Sequence, residues 1–117
     1  MAASRTKRIA ELNDRLRTAL GMCRGVPGMV VMTNGVAALD EPDQVHVLQA
    51  VRNFRAFSED NDPYGEHDFG SVAIEGIENV LWKIDYFADA ECMMGSVDPA
   101  DTNQSYRVLT IMLASEY

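Results

Sequence analysis

Apolar residues recur at helical spacing near the start of the chain. Ile9, Leu12, Leu16, Ala19 and Leu20 line one stripe and Glu11 stands four residues before Arg15, which predicts an amphipathic helix over residues 5–20, stopped by Gly21. Gly25, Pro27 and Gly28 then break the pattern, and the run MVVMT at 29–33 is rich enough in β-branched residues to predict a strand ended by the Asn34-Gly35 turn. A second helix is announced by Asp40 at the N-cap, with Pro42 in the first turn and Asp43 at the positive end of the dipole. Val47, Leu48, Val51 and Phe54 give it an apolar face and an expected end near Phe57. Residues 71–74 and 80–86 predict two strands of a hairpin around Gly76. In the second of these Trp82, Ile84 and Tyr86 fall on the core face and Lys83 and Asp85 on the other. Residues 88–104, with Gly95, Asp98-Pro99 and Asp101, predict a long connection. From Val108 the chain is apolar on both faces, as a central strand over 106–114 requires. The expected fold is α+β: two helices packed on a mainly antiparallel sheet of about four strands, in one domain. No internal repeat is visible.

With 117 residues, 47% of them hydrophobic and 24% charged, the chain has the composition of a folded soluble domain. No apolar run is long enough to span a bilayer and no signal peptide opens the chain, so a cytoplasmic protein is expected. Cys23 and Cys92 show no metal or redox spacing and are expected to be reduced, partly buried thiols. Met22, Met29, Met32, Met93 and Met94 are expected to fill the core.

The net charge of −8 is unevenly distributed. Residues 1–25 carry six basic and two acidic residues, a net of +4, whereas residues 26–117 carry four against sixteen, a net of −12. A body so acidic repels phosphate backbones and attracts basic surfaces. The basic segment is expected to be the solvated face of a helix that partly neutralises an acidic neighbour; a DNA-binding arm ranks behind it, since no helix-turn-helix pattern accompanies it.

The densest chemistry lies at 60–70, DNDPYGEHDFG, with four carboxylates, His67, Tyr64 and two glycines. Asn61, Pro63, Gly65 and Gly70 suit a demanding turn, and any one of these residues has a structural use. So many charges in so few positions nevertheless suggest that some face a partner. Asp60-x-Asp62 opens like a calcium loop, but Tyr64 and Ser71 occupy ligand positions, and no H-E-x-x-H motif is present. A nuclease site built on Asp62 or Asp68 with Glu66 and a distant Lys83 has the right residue types without a recognisable motif, and a Cys92–His67 nucleophile pair is weaker still.

Three blocks, DNDPYGEHDFG at 60–70, WKIDY at 82–86 and RVLTIMLASEY at 107–117, with MTNGVAAL at 32–39 as a fourth, resemble the signature blocks of a small bacterial family of uncharacterised proteins, a domain of unknown function met on plasmids and other mobile elements. The resemblance spans residues 29–117 and leaves the N-terminal helix outside. It implies no catalytic residue and no cofactor. By analogy it implies a neighbourhood in which small acidic proteins blunt host defence.

The function expected is therefore that of an acidic interaction protein that binds a basic surface of a nucleic-acid-handling complex, as an anti-CRISPR or anti-restriction inhibitor. Asp60, Asp62, Glu66 and Asp68 would present charge, His67 would share the surface, and Tyr64 would be the aromatic anchor. The alternative is a metal-dependent hydrolase or nuclease using the same loop. Homodimer formation is open, and membrane binding and direct nucleic-acid binding by the body are not expected.

Overall fold

Four strands form one sheet in the order β1-β4-β3-β2, with the last strand in sequence near its middle. The computed structural model describes residues 2–117, and side chains from residue 5 onward. Along the chain come α1 (Ala2–Thr18), β1 (Gly28–Met32), α2 (Asn34–Ala37), α3 (Glu41–Arg52), β2 (Phe69–Val72), β3 (Val80–Phe87) and β4 (Tyr106–Leu113), followed by a 3-10 turn at Ala114–Glu116. The β2, β3 and β4 strands pair antiparallel and β1 pairs parallel with β4, so the expected α+β architecture with a mainly antiparallel sheet is the one observed.

Strand alternation sorts the core. Val80, Trp82 and Ile84 of β3 and Leu109 and Ile111 of β4 are buried on one face with Leu12 and Leu16 of α1 and Val47 and Val51 of α3. On the opposite face Lys83 pairs with Asp85 at 3.1 Å, as the period of two requires. Val108 and Met112 are buried too, so β4 has both faces covered as its sequence predicts.

Element ends differ from expectation for local reasons. Leu20 and Gly21 take positive φ of 49° and 82°, which unwinds α1 after Thr18. The Asn34-Gly35 turn is the first part of a short helix, and Glu116 accepts hydrogen bonds there from Thr33 Oγ1 and from the Gly35 and Leu113 amides. Asp40 occupies the N-cap of α3 as predicted, without a side-chain capping bond. The helix ends at Arg52 instead of near Phe57, because Phe54 and Phe57 turn in to pack edge-on against Trp82, at 5.5 and 6.1 Å between ring centroids. Strand β2 begins at Phe69, two residues early, and sets Gly70 opposite Trp82, where a Cβ would lie 2.6 Å from the indole Cε2. Only glycine fits beneath that ring. The five methionines expected in the core are exposed instead, since they fall on the open β1 edge and in turns.

Candidate functional site

Helix α1 brings Asn13 and Arg17 to the same buried stripe as Ile9, Leu12 and Leu16, because positions 9, 12, 13, 16 and 17 share one helix face, and sets the part-exposed Asp14 at its edge. Asn13 and Arg17 are fully buried there, so each polar group needs a partner. Asn13 Nδ2 donates to the Glu66 carbonyl at 2.9 Å and to Tyr86 Oη at 2.8 Å, and Asn13 Oδ1 accepts from Arg107 Nε at 2.6 Å. Tyr86 Oη donates on to Glu66 Oε1 at 2.9 Å. Arg107, buried at the start of β4, completes its set through Ser105 Oγ and the Pro99 carbonyl and lies over the Tyr86 ring. Among the described residues no carboxylate lies within ion-pair distance of this guanidinium; Glu66 is linked to it through the neutral Asn13 and Tyr86. Burial pushes the Arg107 pKa down and the Tyr86 pKa well up, the latter raised further by the charge of Glu66, so a neutral phenol bridges the two ions.

The loop between α3 and β2 is held from within by Asp62. Its side chain is 5% exposed, its carboxylate accepts the His67 amide at 3.2 and 3.3 Å, and its backbone links Ser58 to Gly65. Asn61 ties Ala56 to Ser58 in the same way. Gly65 at φ 72° and His67 at φ 57° make the two left-handed steps of the turn, the second at a residue for which such a backbone is uncommon. The His67 ring stacks on Phe57 with centroids 3.9 Å apart and planes 1° from parallel. Its Nδ1 stands 3.0 Å from both oxygens of Asp14, and an acceptor-only carboxylate there places the ring proton on Nδ1. Asp14 in turn pairs with Arg17, whose NH1 caps the end of α3 through the Val51 and Arg52 carbonyls.

The six residues singled out in the sequence thus do not share one outward face. Asp62, Glu66 and His67 point inward and brace the loop. Asp68 is half-buried, its carboxyl pushed up by desolvation and then by Glu66. Asp60 and Tyr64 stand out in solvent with Glu59, and Tyr64 is 81% exposed. Beside this tip, a Cβ on Gly65 would lie 3.6 Å from Thr6 Cγ2 and Lys7 lines the adjoining groove, while Arg5 pairs with Asp98 at 3.0 Å. One base of the helix, Arg5, is thus paired with an acid of the body.

The hydrolase constellation is not assembled. Among the described residues no group of three or more His, Cys, Asp or Glu side chains is placed to hold a metal ion. Lys83 is on the far sheet face, paired with Asp85, and Cys92 is turned to the Ala90 carbonyl while His67 is engaged by Asp14. The network residues Asn13, Arg17 and Arg107 escaped the sequence reading, although polar residues on an apolar stripe and in a strand apolar on both sides were a usable signal.

Among the described residues no helix is long and apolar enough to cross a membrane. Residues 32–116 match a family described as Protein of unknown function (DUF3768), and the chain belongs to that family. No curated protein matches it. Neither does any solved structure.

Proposed function

We propose, for this member of a family of unknown function, that it is an interaction protein whose loop tip docks on a cationic surface of a nucleic-acid-handling complex. The concrete form is inhibition of a host restriction or CRISPR nuclease in the cytoplasm by a protein carried on a mobile element. One observation carries this reading: Tyr64 stands exposed on the same loop as the exposed Glu59 and Asp60, and that loop's backbone is fixed from inside by Asp62, Asn61 and His67. An exposed tyrosine on an acidic loop has the chemistry of an interface anchor. A loop already ordered loses little entropy on binding, and the surplus of acids over bases in the body steers a cationic partner towards it. In this division of labour Asp60 and Tyr64 meet the partner, Asp62, Glu66 and His67 hold the tip, and Asp68 lies between.

The test is a DNA-cleavage assay with the host's restriction and CRISPR nucleases. Wild-type protein is expected to inhibit one of them, with inhibition weakened by added salt. The Glu59→Lys/Asp60→Lys/Tyr64→Ala variant is expected to lose that inhibition at unchanged circular dichroism. Undiminished inhibition by the variant would discard the tip as the docking element, and no inhibition of any of these nucleases by the wild type would discard the nuclease as partner.

A further inference from the structure

We infer that the cleft between the C-terminal half of α1 and the end of α3 binds a small anion with a flat apolar body, of the aryl carboxylate class. The cleft holds about 250 Å³, and its lining includes Asp14, Arg17, Arg52, Arg55, Phe54 and Phe57. Its lining includes none of Glu59, Asp60 and Tyr64, and it does not depend on the docking reading.

Charge is inverted here. The chain carries only ten lysines and arginines against eighteen acids, yet three arginines meet at one cleft whose single carboxylate is that of Asp14. That carboxylate is already shared between Arg17 and His67. Arg52 and Arg55 are exposed at the mouth, and among the described residues neither guanidinium has a carboxylate within ion-pair distance or a hydrogen-bond acceptor. Arg17 is 3% exposed at its side chain, and its Nε has no hydrogen-bond partner. The Arg55 charge is close enough to add to burial in lowering the Arg17 pKa. The negative end of the α3 dipole also faces this region, but its Val51 and Arg52 carbonyls are occupied by Arg17 NH1. Unpaired guanidiniums crowded together repel one another, and a carboxylate placed between Arg52 and Arg55 relieves that repulsion through charge-assisted hydrogen bonds.

The walls set the rest of the ligand. Phe54 and Phe57 pack edge to face with centroids 4.9 Å apart and form the apolar side of the cleft, and His67, also in its lining, stacks on Phe57. The volume falls below the ~300 Å³ at which sites for drug-sized ligands begin, which suits a single ring.

Benzoate is the probe, with benzamide, acetate and inorganic phosphate as controls, read by NMR titration of the full chain. Benzoate is expected to shift the Phe54, Phe57 and His67 ring signals saturably, with a Kd of about 1 mM or tighter. Replacing both mouth guanidiniums, in Arg52→Gln/Arg55→Gln, is expected to weaken it by about tenfold or more while the rest of the spectrum is kept. The Glu59→Lys/Asp60→Lys/Tyr64→Ala variant should bind it as the wild type does, which separates this site from the loop tip. No saturable shift, equal binding of neutral benzamide, equal binding of acetate or phosphate, or full binding by the double variant would each overturn the inference.

Discussion

Asn13 shows what a single buried amide is worth in this protein. It satisfies Arg107, Tyr86 and the Glu66 carbonyl at once, so Asn13→Ala strips one hydrogen bond from a buried cation and leaves a phenol and a carbonyl short of a donor. A loss of about 2–4 kcal/mol is expected from urea unfolding, well beyond a helix-surface substitution. A loss below about 0.5 kcal/mol would mean that water replaces the amide and the network contributes little. At this scale the sequence was only half legible. The turn chemistry of Asn61, Asp62 and Gly65 was readable, because such residues bond their own backbone. Whether Asp62 faced in or out was not, since that depends on α1, which lies some fifty residues away and supplies the Asp14 that holds His67.

Helix α1 lies outside the 32–116 family match, yet it supplies Leu12 and Leu16 to the core and Asn13, Asp14 and Arg17 to the network. It is part of the fold, not an appended arm. Deleting residues 1–25 is therefore expected to abolish cooperative unfolding and collapse the amide dispersion of the remainder. A truncated chain with a sharp transition would show the helix to be dispensable. The periodicity of α1 and the alternation in β3 were legible because each repeats a packing rule along several residues. The early end of α3 and the start of β2 at Phe69 were not, because the packing of Phe54, Phe57 and Gly70 on Trp82 decides them.

Across the whole molecule, two carboxyls set opposite slopes of stability with pH. Asp68 is raised from its ordinary 3.8, first by burial and then by Glu66, so the folded chain holds that proton more tightly than the unfolded one. Its contribution to folding is full below 3.8 and is lost as pH rises through the raised value. Glu116 is held below 4.5 by Thr33 and the Leu113 and Gly35 amides, so its contribution is present above 4.5 and is lost as pH falls through the lowered value. In thermal melts Asp68→Asn is expected to raise the Tm near roughly pH 7 and Glu116→Gln to lower it, both converging on the wild type towards ~pH 3. Parallel shifts at every pH would show that packing, not ionisation, governs both sites. The α+β class was legible because short strands and amphipathic helices each carry their own period, whereas the parallel β1–β4 pairing joins segments nearly eighty residues apart and leaves no local mark. That pairing has a kinetic consequence. During synthesis β1 emerges long before Tyr106–Leu113 and must wait for it, so a nascent chain stopped short of that strand displays two unsatisfied ribbons and an open apolar interior. The sheet closes only when β4 slides between β1 and β3.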